Sequence, residues 1–310
     1  IPQCDDIFCD DSMIHMERES LKAAEAVLRE SGFTVSQRCC SRPSCFDYAA
    51  RKSENLIFIK VQQDVDKFSP SDSLELKNIS ECVSAVSLLI SEETREKPLE
   101  DDTVYTRYDV LAVTLKTFEN IVLRGISPLI QAGPGGYYVE IDCEAIKRRR
   151  QKLGLSVGEM AEMVGISRRT LYGYERGMAK ASVAAAYNLI WTLGIPVARP
   201  VNVFEKARNQ GKCFLIKAKH AIARHRLLQR IFRKFTRYSI TTVKRAPFDF
   251  VINMPQEKMR IIGGVADNKE LELNKRVDEI LSISKIVKAH PILITEEPRA
   301  SNKDILCIRK

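Results

Sequence analysis

The segment from Glu144 to Gly177 constrains this chain more than any other, because its small and capping residues fall where one short helix must turn tightly onto a second. Its second half reads VGISRRTLYGYERG (164–177). Ala161 is small enough for two helices to approach closely, and Gly165 can take the positive φ of a tight turn without steric cost. Ser167 is a good N-cap, while Ile166, Leu171 and Tyr174 share an inward face at helical spacing. The outer surface at the start of the second helix (167–176) is then Arg168, Arg169, Thr170 and Tyr172. Polar and cationic side chains in that position suit the major groove of duplex DNA.

The flanking residues extend the pattern. Ser156-Val157-Gly158-Glu159 has the form of a capping box, with Leu155 and Met160 placed as a hydrophobic staple. The helix before it is expected to turn Ile146 and Leu153 inward and to expose Lys147, Arg148, Arg149 and Arg150. A fourth helix, AAAYNLIWTL (184–193), is expected to close the core with Trp191; Gly194 ends it, and Pro196 and Pro200 open a linker. Upstream, PLIQAGPGGYYVEID (128–142) reads as strand, turn and strand around Pro134-Gly135-Gly136.

Charge is distributed unevenly. The net charge of +9 is the sum of −9 over residues 1–141, +17 over 142–245 and +1 over 246–310. Residues 206–245 hold 13 basic side chains and no acidic one, which suggests a polyanionic partner; a basic amphipathic helix on an anionic membrane is the competing reading. No run of about 18 apolar residues is present and the N-terminus lacks a basic-then-apolar signal, so neither a membrane span nor secretion is expected, and the location expected is cytoplasmic. The nine cysteines form no C-x-x-C pair; Cys39, Cys40 and Cys45 lack a fourth ligand at usable spacing, so reduced thiols and no metal are expected. No glycine-rich phosphate loop occurs, and no cofactor is expected.

The two ends of the chain resemble each other. SLLISEETR (87–95) returns as PILITEEPR (291–299) at an offset of 204, and CFDYAA (45–50) returns as PFDFVI (247–252) at an offset of 202, matching Asp47 with Asp249. LIFIKV (56–61) has a weaker counterpart in RIIGGV (260–265), and the helical run 19–33 has one at 220–235. A two-residue insertion in the hairpin between the paired strands would change the offset, since hairpin loops vary most easily. Each copy reads helix, strand, turn, strand, helix, strand, which predicts a small α/β unit with a mixed sheet.

The 142–200 module resembles the lambda-repressor/Cro type of helix-turn-helix domain on Ala161, Gly165, Ile166, Ser167, Leu171, Glu175 and Gly177. The resemblance implies base contacts from Arg168 and Arg169, and Arg can pair bidentately with guanine for ~1–3 kcal/mol of discrimination. A third base-contact position of that family falls on Gly173, which offers no side chain, and a customary Gln at the start of the preceding helix is Val157 here. Thr170 and Tyr172 complete the expected base-reading set, with Lys147, Arg148, Arg149, Ser156, Ser167 and Arg176 on phosphates.

The N-terminal copy resembles Holliday-junction resolvases and other restriction-endonuclease-like nucleases. Those enzymes place an acid on the first helix, an Asp entering a strand and Glu-x-Lys on the next, with the carboxylates holding a divalent metal ion. This chain offers Glu17 or Glu19, then Asp47, then Phe58-Ile59-Lys60, so the acid of the Glu-x-Lys pair is missing. In the second copy the lysine position falls on Gly264, or on Gly263 with another placement of the gap. Glu17, Asp47, Lys60 and Asp249 are therefore read as vestigial, and an inherited scaffold rather than an enzyme is expected.

As a whole the chain resembles the archaeal family of HTH-type transcriptional regulators. The expected fold is α/β plus all-α: a degenerate nuclease-like domain (1–127) with an acidic N-terminal tail, a β-hairpin with a Cro-type helix-turn-helix domain (128–200), and a basic helix with a second degenerate nuclease-like domain (201–310). The expected partner is double-stranded DNA, gripped by a homodimer with the nuclease-like copies as a joining surface. The alternative is a metal-dependent, structure-selective nuclease using Asp47 and Lys60.

Overall fold

The computed structural model describes residues 8–205, 239–254, 257, 259–266, 272–295 and 304–309. The helix expected at 220–235 and most of the basic run 206–245 lie outside the described residues.

Helix α1 (Phe8–Glu30) presents Leu21, Ala24 and Leu28, spaced by three and four residues, to Ile57, Ile59 and Val61 of strand β3 (Asn55–Val61). Side chains alternate along a strand, so Phe58 faces the other way and packs with Leu76 and Ile79 of α2 (Pro70–Val83). That helix starts where the Ser69 hydroxyl accepts from Asp72 N–H and Pro70 fills the first turn. Strands β1 (Thr34–Val35), β2 (Tyr48–Lys52) and β3 are antiparallel; β3, β4 (Val86–Ile90) and β6 (Val110–Val113) are parallel. Helix α3 (Leu115–Arg124) covers the α1 side with Phe118 and Ile121.

The sheet does not stop there. β5 (Thr103–Arg107) pairs with β6 on one side and, in parallel, with β7 (Ile130–Gly133) on the other. β7 forms a hairpin with β8 (Gly136–Ile141), which also holds β9 (Ala181–Ser182) and β10 (Ala198–Arg199). The hairpin read as the start of the helical module is thus the continuation of a ten-stranded sheet. Beyond β10 the chain returns to the first core: Val201 N–H donates to the Pro128 carbonyl at 2.7 Å, and Val201 and Val203 are buried with α1 and α3.

Four helices fill the space between β8 and β10: α4 (Cys143–Lys152), α5 (Val157–Val164), α6 (Arg168–Glu175) and α7 (Val183–Leu193). Their core is Ile146, Met160, Ala161, Val164, Leu171, Tyr174, Ala185, Ala186, Leu189 and Leu193. Gly165 caps α5 with φ 76°, which closes the turn onto α6.

Three side chains of this module lie elsewhere than their sequence predicts. Trp191 does not close the core; it is 80% exposed, because Leu189 and Leu193 take the inward face and a residue two positions from each points away from it. Leu153 is exposed, because α4 ends at Lys152 and the inward position passes to Leu155. Arg150 is buried rather than exposed: it lies four residues after Ile146 on the same face, where Glu175 neutralises it.

The second sheet contains β11 (Ser239–Thr242), β12 (Phe250–Met254), β13 (Met259–Val265), β14 (His290–Thr295) and β15 (Leu306–Arg309), with α8 (Leu273–Val287) between β13 and β14. Its order and strand senses repeat those of β1-β2-β3-β4-β6. The hairpin joining Lys52 to Asn55 has two loop residues, and the one joining Met254 to Met259 has four, which accounts for the shift in offset. Asp47 Oδ2 accepts from Val61 N–H at 2.8 Å and Asp249 Oδ2 from Val265 N–H at 2.6 Å, so Gly264, not Gly263, stands where the first copy has Lys60.

The two copies pair with each other inside the chain, and the contacts are reciprocal. Glu75 on α2 accepts from the backbone N–H groups of Lys244 and Arg245; Glu279, at the matching place on α8, accepts from those of Cys40 and Ser41. Arg51 on β2 donates to the Val287 carbonyl near the end of α8, and Asn253 on β12 donates to the Cys82 carbonyl near the end of α2. The rings of Phe46 and Phe248 lie 6.3 Å apart, and one apolar cluster holds Phe58, Leu76 and Val83 together with Val251, Ile262 and Ile280. A pseudo-two-fold pair has formed within one polypeptide. This face of the nuclease-like copies is therefore occupied within the chain.

Candidate nucleic-acid interface

The exposed start of α6 is built by its cap. The Ser167 hydroxyl accepts from Thr170 N–H at 3.0 Å and lies 2.8 Å from the Thr170 hydroxyl, fixing the first turn. Arg168 and Arg169 follow immediately and are exposed. Arg168 lies back across α5: a methyl group added to Gly158 would stand 2.9 Å from its Nε. Tyr172 is 46% exposed, and the Arg176 guanidinium sits 4.6 Å from the centre of its ring, a cation–π contact that holds both on the same surface. Gly173 offers no side chain, and nothing lies within 4 Å of where one would begin.

The neighbouring helix starts are equally ordered. Ser156 and Glu159 make a reciprocal capping box at 3.1 and 2.7 Å, and the backbone N–H that Ser156 donates holds the Glu159 carboxyl below its ordinary range. On α4, Lys147 and Arg148 are exposed, whereas Arg149 is half-buried with its Nε donating to the Leu193 carbonyl at 2.9 Å. Arg149 thus closes the end of α7 as well as facing solvent. Beneath this surface Arg150 makes a bidentate pair with Glu175 at 2.5 and 2.9 Å and donates to the Leu155 carbonyl at 2.9 Å, tying α4, the turn and α6 together. The hydrogen bond that Glu175 accepts raises the Arg150 pKa, so the guanidinium stays charged.

The nuclease-like positions are arranged differently. Asp47 is buried and meets Lys60 Nζ at 3.2 Å, but Phe58 beside them is fully buried against Phe46, with ring centres 4.7 Å apart. Glu17 and Glu19 stand on α1, the helix that covers the Ile57 and Ile59 face of the sheet, while Lys60 shares the opposite face with Phe58. Among the described residues no three His, Cys, Asp or Glu side chains group closely enough to hold a metal ion. In the second copy, Asp249 is clasped by Arg42 at 2.6 Å and Arg276 at 2.5 Å, so two guanidinium groups occupy the region a dication would need. Ile280 and Arg276, both from α8, close the space beside Gly264, 2.9 and 3.3 Å from where a side chain would begin. The residues present do not fit the metal that this nuclease fold employs elsewhere.

Reading the sequence alone missed Arg150, Gly158, Arg42 and Arg276. The four-residue spacing from Ile146 marked Arg150 as inward, and the run of four basic residues obscured it. No local signal marked Arg42 or Arg276, whose partner Asp249 is 207 and 27 residues away.

A helix-turn-helix unit carried on a nuclease-like sheet, with the buried Phe58 ring beside the retained Asp47 and Lys60, is thus the class that fold and site define. Comparison with known proteins agrees: residues 17–128 match a PD-(D/E)XK superfamily domain and residues 146–198 match a helix-turn-helix. A protein of Methanococcus vannielii named "Putative HTH-type transcriptional regulatory protein" is 30% identical over 94% of this chain and 91% of its own length. Proteins of the same name from Archaeoglobus fulgidus (31% identical; 89% and 86% covered) and Pyrococcus furiosus (30%; 92% and 89%) match similarly. Among solved structures, a chain of the SinR protein/SinI protein complex matches over 31% of this chain and 93% of its own, at 18% identity and a TM-score of 0.16. The chain belongs to the archaeal family of HTH-type transcriptional regulatory proteins.

Proposed function

We propose that the chain is a sequence-specific regulator that binds double-stranded DNA in the cytoplasm as a dimer, with 128–200 as its DNA-binding unit between the regions 1–127 and 201–310. The observation that carries this reading is the pair Arg168 and Arg169, exposed on the first turn of a capped helix. α6 enters the major groove, Arg168, Arg169, Thr170 and Tyr172 meet base edges, and Lys147, Arg148, Arg149, Ser156, Ser167 and Arg176 meet phosphates. Each phosphate neutralised steepens the salt dependence of log K by about 0.9.

Selection of bound sequences from random duplex DNA supplies the operator for the test. Arg168→Ala and Arg169→Ala are each expected to lose roughly 1–3 kcal/mol of preference for that operator while keeping nonspecific affinity. Equal losses on every sequence would remove base readout from these two residues.

The nuclease reading rests on the retained Asp47–Lys60 contact and on the matched PD-(D/E)XK domain. The buried Phe58 ring, in place of a carboxylate, weighs against it. Metal-dependent cutting of duplex or branched DNA, abolished by Asp47→Ala, would reinstate it.

A further inference from the structure

Helix α7 is apolar on both sides. Ala185, Ala186, Leu189 and Leu193 face its own core, yet Val183, Tyr187, Ile190 and Trp191 follow helical spacing along the other side with exposures of 38, 64, 37 and 80%. A helix that is hydrophobic all round is normally buried all round. Trp191 is the sole tryptophan of the chain, and tryptophan and tyrosine are the side chains that most often anchor protein contacts. We propose that this face of α7 is a two-fold contact with a second copy of the chain.

Charge selects that occupant. Residues 183–195 (VAAAYNLIWTLGI) carry no charged side chain in a polypeptide of net charge +9. Nucleic acid or an anionic membrane would require cations along this face, and residues 183–195 supply none; Arg149 of α4, at the end of this helix, has its Nε engaged with the Leu193 carbonyl. In a two-fold contact the same patch meets itself, and within the strongly basic part of the chain, +17 over residues 142–245, an uncharged face is one that its copy can approach without repulsion. One face of the nuclease-like copies is closed to a second chain, since the copies already pair with each other through Glu75, Glu279 and the Phe46–Phe248 core. Two aromatic side chains that bury roughly 150–250 Å² each supply a large share of the ~800 Å² per partner of a stable interface. Arg168 and Arg169 lie on α6, a different helix, and stay exposed.

The contact rests on the DNA reading for its purpose, since a two-fold operator needs two recognition helices, but it is measured without DNA. Sedimentation equilibrium of the full chain is expected to show a monomer–dimer equilibrium. The emission of the single tryptophan should shift to the blue as the dimer forms. Tyr187→Glu, with an unchanged circular dichroism spectrum, is expected to raise the dimer dissociation constant at least ~30-fold, the scale of an interface hot spot, and to keep the emission red-shifted. Trp191→Ala should weaken the dimer to a similar degree. A wild-type chain that stays monomeric, a dimer indifferent to both substitutions, or a Trp191 emission that moves only when duplex is added would each overturn the proposal. Binding of Tyr187→Glu to a half-operator duplex separates the two readings: retained half-site preference leaves the DNA reading standing whatever the dimer does.

Discussion

At the end of α4, Arg150 lies among apolar residues with its charge answered by Glu175 alone, and the two side chains are 11 and 7% exposed. Removing one member of such a pair leaves an uncompensated buried charge, at a cost of about 3–5 kcal/mol. Glu175→Ala is therefore expected to unfold the four-helix module well before the rest of the chain. Loss of the helical signal from that module at low urea, with β-sheet signal retained, would verify it; a shift below about 1 kcal/mol would mean that the guanidinium escapes to solvent. At Asp249 the same chemistry has the opposite history. Two arginines neutralise a carboxylate that in a nuclease would meet a metal, so the second copy has become a structural ion-pair cluster.

Among the elements, the seat of the Arg168 guanidinium across α5 depends on Gly158. The Arg168 guanidinium lies over it, and any side chain there would displace that group. Alanine favours a helix over glycine by up to about 1 kcal/mol. Gly158→Ala should accordingly raise the melting temperature slightly while reducing preference for the selected operator. Stability and readout moving in the same direction would show that Arg168 does not read from this seat. The sheet acts at this scale too: the β5–β7 pairing carries the order of the N-terminal copy into the hairpin that supports the helices. A linker of flexible residues would not hold the helix-turn-helix in a fixed relation to the nuclease-like pair.

Across the whole molecule, the pairing of the two copies creates one core where the sequence suggests two. Cys39, Cys45 and Cys82 of the first copy share this core with Phe248 of the second. Burial pushes all three thiols up from their ordinary range, so they are protonated and shielded at neutral pH. In the native chain an alkylating reagent is expected to reach Cys40 and Cys307 and to spare these three. Phe248→Ala removes a fully buried ring and should cost about 3–5 kcal/mol, and because the core is shared it should accelerate labelling of Cys45 as well as unfolding of the second copy. If Cys45 stayed protected while the second copy melted, the copies would be independent domains.

Much of this organisation was legible along the chain. The capping box, the positive-φ Gly165, the inward Leu171 and Tyr174 and the outward Arg168 and Arg169 are decided within about 35 residues, where helical period and cap chemistry act locally. The repeat was legible because matched strands kept their apolar alternation, and a two-residue hairpin insertion is visible as a change of offset. What only the tertiary structure decided involves partners far apart: that Glu175 draws Arg150 inward, that Leu189 and Leu193 leave Trp191 outside, that Arg42 and Arg276 converge on Asp249, and that α2 and α8 each pack on the other copy's sheet. Burial of a charge or an aromatic ring depends on which surfaces meet. Periodicity fixes only which side of an element a residue is on, not what comes to cover that side.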